Sequence, residues 1–148
     1  MFSIDAIMST DLITVELSAS LADARELMHS NRIHHLPVVT DDGSLVGLVT
    51  LTNVLAATDS FLRDDDSRIH ASEIHIKDVM VTDLATVDEN VSLRQAALFI
   101  EKHKIGCLPV MSDNKLKGII TDSDFVAIAI NLLEQIEEAE PTLDEFGD

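Results

Sequence analysis

The feature that most constrains this chain is an internal repeat, in which residues 7–15 recur 72 positions later as residues 79–87. The same offset relates residues 20–24 to 92–96 and residues 33–38 to 105–110, and an offset of 71 then relates 47–53 to 118–124. Chance does not place four blocks in the same order and almost constant register. The chain therefore contains two homologous units of about 60 residues each.

Three short segments of the first unit have the composition of β-strands. Leu12 to Val15, Leu36 to Thr40 and Leu45 to Thr50 are rich in β-branched and apolar residues. The last two are separated by Asp41-Asp42-Gly43-Ser44, a sequence typical of a hairpin turn. The second unit repeats this pattern, so each unit is predicted to contain three strands.

Two helices complete each unit. Ser20 can cap a helix whose apolar side chains fall on one face, namely Leu21, Ala24, Leu27 and Met28. A second helix is predicted from about Thr52, with Thr52 or Asn53 at its N-terminus. The order β-α-β-β-α in both units predicts an α/β (α+β) fold.

A three-stranded sheet with helices on one face leaves its other apolar face uncovered, so neither unit is expected to be stable alone. The two units should pack sheet to sheet with pseudo-twofold symmetry. We expect repeat one at 4–60, a linker at 61–74, repeat two at 75–130, and an acidic helix and tail at 131–148. Asp64 to Ser67 reads as an exposed connector, and the end beyond Pro141 is expected to fray.

The composition of the chain limits the kinds of partner and the compartment that can be expected. The formal net charge of −17 leaves no obvious basic face for nucleic acid, so direct DNA or RNA binding is not expected. No segment approaches the roughly 20 apolar residues that span a bilayer, and the first residues do not resemble an export signal. The single Cys107 cannot form an internal disulfide, which favours a cytoplasmic location.

The repeated motifs resemble those of a known family. Met8-Ser9-Thr10 and Met80-Val81-Thr82 open the units, Leu-Pro-Val recurs at 36–38 and 108–110, and Thr121 precedes Asp124 in a Gly-Ile-Ile-Thr-x-x-Asp close. This pattern resembles the tandem cystathionine-β-synthase (CBS) domain family, from about Ile4 to Ile130. In detail it is similar to the stand-alone bacterial type found in acetoin-utilisation proteins.

The resemblance implies a regulatory module and no enzyme. Family pairs bind AMP, ADP, ATP or S-adenosylmethionine in the cleft between repeats, commonly form homodimers, and alter the activity of a partner protein. A magnesium ion is expected only with a polyphosphate ligand, and the acidic charge mildly favours AMP or S-adenosylmethionine. The alternative is a constitutive dimerisation scaffold whose cleft is vestigial.

By this resemblance, the first predicted site centres on Asp124, whose carboxylate can accept hydrogen bonds from both ribose hydroxyls. Thr121 and Ser123 would meet phosphate at a helix N-terminus, although a simple helix cap explains Thr121 and Asp124 about equally well from local sequence alone. The other residues assigned to this site are Ile119, Ile7, Ile33, His34, Gly106 and Cys107.

The pseudo-symmetric second site is expected to be weaker. Asn53 stands where the first site has Asp124, and an amide offers one acceptor oxygen instead of two. The other residues assigned to it are Thr50, Thr52, Val79, Ile105 and His35, with Gly106 and His34 nearby. A single good site per chain is the sharper prediction.

His34, His35 and Cys107 are the other side chains that could contact phosphate, bind a metal or act as a nucleophile. His34 and His35 alternate along a predicted strand, so only one should enter the cleft, where it contacts phosphate or only water and backbone. A metal site formed by these histidines and Cys107 lacks any recognised ligand spacing, so no metal is expected. Cys107 lies in an apolar strand, which favours a buried structural role over a nucleophilic one.

Overall fold

The computed structural model describes residues 4–62 and 73–139. The first unit contains α1 (Leu21–Asn31), β1 (His35–Val39), β2 (Leu45–Thr50) and α2 (Leu51–Leu62). The second contains β3 (Val87–Asp88), α3 (Leu93–His103), β4 (Cys107–Ser112), β5 (Lys115–Thr121) and α4 (Asp122–Ala139). The predicted connector at 64–67 and the predicted tail beyond Pro141 lie outside the described residues.

The predicted helix faces are confirmed. Ser20 forms a capping box with Asp23, and α1 buries Leu21, Ala24 and Met28. Ser92 forms the equivalent box with Gln95 at the start of α3. The two helices end alike, because Arg32 and Lys104 both adopt the left-handed conformation that closes a helix.

Each unit carries an antiparallel hairpin, but the predicted first strand is shorter than expected. In repeat two it is reduced to β3, which pairs in parallel with β4. In repeat one it is wrong as a strand, since only Val15 bridges to Val38. The residues just before Val15 are not part of the sheet. Among them, Asp11 and Ile13 line a cleft between the repeats.

The N-terminal arms of the two units are exchanged. Ile4 and Met8 of the first unit pack in the core of the second, with Leu108, Val110 and Ile120. The equivalent residues of the second unit pack in the first core, where Ile74 and Ile76 are buried and Met80 is partly buried. Each core is completed by the other repeat, which is the physical reason the two units form one module.

The close approach of each arm depends on a glycine in the facing strand. A Cβ at Gly118 would lie 2.6 Å from the Met8 Sδ, and one at Gly47 would lie 2.4 Å from the Met80 Sδ. Backbone bridges between Ser9 and Ile119, and between Leu48 and Val81, fix the two arms in register.

The sheets of the two repeats meet through a small apolar cluster. Leu48 of β2, Cys107 of β4 and Ile119 of β5 are buried together, with Leu12 and Leu84 packed against them. This contact between the strands confirms the predicted sheet-to-sheet packing and the α/β class. It also leaves a cleft on each side of the cluster.

Candidate functional site

The first cleft has a volume of about 500 Å³ and is formed by both repeats. Repeat two contributes the residues around the start of α4, namely Thr121, Asp122, Ser123 and Asp124, together with Ile119 of β5. Repeat one contributes the segments before β1, and the full set of its lining residues is Ser9, Asp11, Leu12, Ile13, Asn31, Arg32, Ile33, His34 and His35. Apolar isoleucines and a helix N-terminus therefore face the same space.

Thr121 and Asp124 form a reciprocal cap at the start of α4. The Thr121 amide donates to Asp124 Oδ2 at 2.8 Å, and the Asp124 amide donates to Thr121 Oγ1 at 3.4 Å. Within the described part of the chain, Asp124 Oδ1 accepts no hydrogen bond and the Thr121 hydroxyl donates to no group. Asp124 can therefore cap the helix and bind a ligand at the same time, because capping uses only one of its two carboxylate oxygens.

The second cleft is smaller, at about 250 Å³. Its lining residues are His35, Leu48, Thr50, Val81, Asp83, Leu84, Ala85, Ile105, Gly106, Cys107 and Pro109. Most of them lie at the positions that the repeat offset predicts from the first cleft, as Asp83 does from Asp11 and Ile105 from Ile33. The two clefts are therefore two versions of one structural feature.

Asn53 uses its only side-chain oxygen in hydrogen bonds within the protein, whereas Asp124 uses one of its two. Its Oδ1 accepts from the Thr50 amide at 3.1 Å and from the Thr50 hydroxyl at 2.6 Å. The backbone amide of Asn53 donates in return to Thr50 Oγ1 at 3.1 Å, so Thr50 caps α2. The helix predicted from about Thr52 begins one residue earlier, at Leu51. Of the two residues expected at its N-terminus, Asn53 serves it by accepting the Thr50 backbone amide.

Several residues assigned to the first site lie elsewhere. Gly106 and Cys107 line the second cleft. They are equivalent by the repeat to His34 and His35, which line the first cleft. Ile7 packs against the repeat-two core as part of the exchanged arm. Thr121, Ser123, Asp124, Ile119, Ile33 and His34 are brought together as expected.

The second predicted site is also redistributed. Thr50, Ile105 and His35 line the second cleft, as does the nearby Gly106. Val79 packs instead against the repeat-one core, again because of the arm exchange. Thr52 and Asn53 are absent from the described wall, and Asn53 turns its oxygen to Thr50.

Both histidines reach the first cleft, so the expectation that only one would enter it was wrong. His34 precedes the first residue of β1, and strand alternation does not apply to it. His35 lines both clefts and lies near Gly106 of repeat two. Burial lowers the pKa of His35, an effect that Asp122 opposes and His34 reinforces.

Cys107 is buried between the two clefts. Burial raises the pKa of its thiol to about 12, and the carboxylates of Asp122 and Asp124 add to the shift. A thiol with this pKa carries almost no thiolate at neutral pH, so it is a poor nucleophile. The geometry agrees with the structural role that its apolar strand predicts.

Sequence reasoning missed the loop residues that precede the first strand. Ser9, Asp11, Leu12 and Ile13 line the first cleft, and Asn31 and Arg32 join them from the end of α1. The repeat offset does mark these segments as equivalent in both units. Their exposure to the cleft, however, follows from the exchanged arms, which local patterns do not reveal.

No group of three or more His, Cys, Asp or Glu side chains in residues 4–62 and 73–139 is placed to hold a metal ion. In the same ranges, no helix is both long and apolar enough to cross a membrane.

Comparison with known proteins agrees with the repeat. The family model described as the CBS domain matches twice, at residues 4–60 and 76–131. A CBS domain-containing protein of Dictyostelium discoideum is 32% identical over 134 residues, which cover 88% of this chain and 92% of that protein.

Two solved structures are also similar. A Vibrio cholerae protein assigned to acetoin utilization (AcuB) is 40% identical, with a TM-score of 0.78, over 95% of this chain and 99% of the other. CBSX2 in complex with AMP is 27% identical, with a TM-score of 0.75, over 89% of this chain and 98% of the other. The resemblance to acetoin-utilisation proteins is confirmed by the first of these.

Other relatives are enzymes in which the matched region is only a part. Homoserine O-acetyltransferase of Methanocorpusculum labreanum is 31% identical over 120 residues, which make up 22% of that protein. The chain thus spans nearly the whole of the Dictyostelium relative and about a fifth of this enzyme. With both repeats matched across the exchanged-arm fold, the chain belongs to the CBS domain family, as a CBS domain pair.

Proposed function

We propose that the chain is a regulatory module that binds an adenosyl ligand in the first cleft and modulates a partner protein, without catalysis of its own. The observation that carries this proposal concerns Asp124 and Thr121. Among the described residues, Asp124 Oδ1 accepts no hydrogen bond and the Thr121 hydroxyl has no acceptor, and both residues line a cleft that also contains apolar isoleucine side chains. The AMP bound by the relative CBSX2 supports the same ligand class.

Each part of the ligand has a matching group. Asp124 Oδ1 keeps both of its acceptor positions for the ribose hydroxyls. Ile13, Ile33 and Ile119 offer apolar faces to an adenine ring. Ser123, exposed in the first turn of α4, can donate its hydroxyl to a phosphate, while its backbone amide donates to Asp122 Oδ1 at 2.9 Å.

Regulation requires that the ligand favour one arrangement of the module over another. Because the first cleft is walled by both repeats, a ligand held there contacts both at once. It can therefore bias the repeat-to-repeat arrangement, which a partner protein would read. The free thiol of Cys107 keeps the cytoplasm as the proposed compartment.

We further propose a homodimer that uses the outer helices. Leu55 of α2 and Val126 of α4 are equivalent by the repeat offset, and both are more than half exposed. Along α4 the exposed apolar side chains continue with Ile130, Leu133 and Ile136. A second copy is the occupant that suits this face, because a pseudo-twofold pair of helices is self-complementary under a twofold axis.

A charge substitution in that face tests the dimer. Replacing Ile130 by Glu should shift the chain from dimer to monomer in analytical ultracentrifugation. The matched control is Gln135→Glu, which adds the same charge on another face of α4 and should leave the dimer intact. A wild-type chain that sediments as a monomer would refute the dimer and leave the ligand proposal untouched.

The ligand proposal is tested by absorbance and calorimetry. The chain has no Trp or Tyr, so a co-purified adenine would dominate its ultraviolet spectrum. Denaturation and filtration should release that adenine, and the stripped protein should then bind AMP, ADP, ATP or S-adenosylmethionine in titration calorimetry. If no adenine is released and none of the four ligands gives heat, the sensor function is wrong.

A constitutive scaffold is the second candidate, and the committed oxygen of Asn53 favours it for one half of the module. Asp124→Ala separates the two functions. A sensor loses both ligand binding and its response, whereas a scaffold keeps its assembly and its effect on a partner.

A further inference from the structure

A third depression lies at the carboxyl end of α1, with a volume of about 640 Å³. We call it the basic pocket, and its lining residues are Arg25, Met28, His29, Ser30, Arg32, Ile33, His34 and Leu51. Among the described residues that line it there are two arginines, two histidines and no carboxylate. In a chain with 27 acidic residues and 10 Lys and Arg, this is a local reversal of charge.

The four basic side chains are available to a ligand. Arg25, His29, Arg32 and His34 are all exposed. Within residues 4–58 and 73–139, none of them forms an ion pair with a carboxylate or a side-chain hydrogen bond. Leu51, at the first turn of α2, adds the positive end of that helix to the same pocket.

Complementing the dipole of α1 explains only part of this cluster. The equivalent helix α3 also ends in basic residues, Lys102, His103 and Lys104, so the helix end accounts for His29 and Arg32. Arg25 lies more than a turn before the end of α1, and His34 lies beyond that end. The repeat offset maps these two residues to Ala97 and Gly106, so the fold itself does not require their charge.

The basic pocket adjoins the first cleft. Arg32, Ile33 and His34 line both spaces, so an anion in the pocket lies next to a ligand in the cleft. Arginine forms paired hydrogen bonds with phosphate oxygens, and histidine adds a donor to them. A compact group with several negative charges is the chemistry that this arrangement suits.

We propose that the basic pocket binds a polyphosphate group. The group is either the outer phosphates of a nucleotide held in the first cleft or a free inorganic polyphosphate. The first source rests on the proposed adenosyl function, and the second does not. In either case the pocket opposes the acidic field of the chain, which by itself disfavours such a ligand.

The test is titration calorimetry without magnesium, using inorganic tripolyphosphate, ATP and AMP as separate ligands. The variant Arg25→Gln/His29→Gln alters two exposed side chains that do not line the first cleft. Its matched control is Lys102→Gln/Lys104→Gln, at the equivalent end of α3. The pocket variant should weaken tripolyphosphate binding at least tenfold and leave AMP binding unchanged, whereas the control should keep both within twofold.

The ligands distinguish the two sources. If ATP also weakens in the pocket variant and tripolyphosphate competes with ATP, the nucleotide supplies the phosphates. If tripolyphosphate binds equally well to ATP-saturated protein, the anion is free. Tripolyphosphate binding by a protein that binds none of AMP, ADP, ATP and S-adenosylmethionine would support the pocket and refute the proposed adenosyl function. The pocket is refuted if neither tripolyphosphate nor ATP binds more weakly to the pocket variant, or if tripolyphosphate and ATP fail to bind the wild type.

Discussion

The two clefts are built from equivalent segments, yet they differ in the one pair of residues that could hold a ribose. In the first cleft, Asp124 caps α4 with one oxygen and keeps the other. In the second, Asn53 accepts both Thr50 hydrogen bonds with its single oxygen. A carboxylate has two oxygens, so one can cap the helix while the other contacts a ligand. A side-chain amide has only one oxygen, so the helix cap and the ligand compete for it.

The largest effect is expected from removing the carboxylate. Asp124→Ala loses two charge-assisted hydrogen bonds, each contributing about 1.5–3 kcal/mol, so affinity for AMP should fall about 10²- to 10⁴-fold. Asn53→Ala is the matched control, because it removes the equivalent cap of α2. Calorimetry that finds equal losses for both variants would mean that helix capping, and not ligand contact, is the role of Asp124.

The next effect concerns Cys107, which stands in repeat two where His35 stands in repeat one. Its thiol pKa is raised from 9.0 to about 12, mainly by burial. At pH 8 the thiolate fraction should therefore be about 1,000-fold lower than in the unfolded chain. Iodoacetamide labelling followed by mass spectrometry should be slow in native buffer and fast in urea, and fast native labelling would show that the space between the clefts is open.

A converse substitution should bring the second cleft closer to the first. Asn53→Asp restores a carboxylate whose second oxygen is free, and it should improve AMP binding at that cleft about 10- to 100-fold. Calorimetry should then resolve a second binding event. The double variant Asn53→Asp/Asp124→Ala should bind through the second cleft alone, and its failure to bind would assign the asymmetry to the smaller size of that cleft instead.

The smallest effect concerns the exchanged arms. Gly47→Ala and Gly118→Ala each force a Met side chain to move, which should cost about 1–3 kcal/mol of unfolding free energy. Gly118→Ala should cost more, because its Cβ also meets the Ser9 carbonyl oxygen at 3.1 Å, whereas the three atoms nearest to a Cβ at Gly47 all belong to the Met80 side chain. Urea unfolding measures both, and a larger loss at Gly47 would contradict the described arm packing.

Local sequence predicted the parts of the fold that depend on nearby residues. The cap at Ser20 and the face containing Leu21, Ala24 and Met28 depend on periodicity alone, and both are confirmed. The repeat likewise predicted that Ile33 and Thr121 would share a cleft.

What could not be predicted depends on which repeat completes which core. Ile7 and Val79 were assigned to ligand sites, but the exchanged arms place them against the two cores. Gly106 and Cys107 are predicted for the first site, whereas they line the second cleft. They are the repeat equivalents of His34 and His35, which line the first. The oxygen of Asn53 was expected to be available, and only its distances to Thr50 reveal that it is used.

The number of AMP molecules bound per chain tests the central claim most directly. Equilibrium dialysis of the stripped wild-type protein, read by adenine absorbance, should saturate at one AMP per chain, and Asp124→Ala should bind almost none at the same AMP concentrations. Saturation at two AMP molecules per chain, or one that persists in Asp124→Ala, would contradict the account.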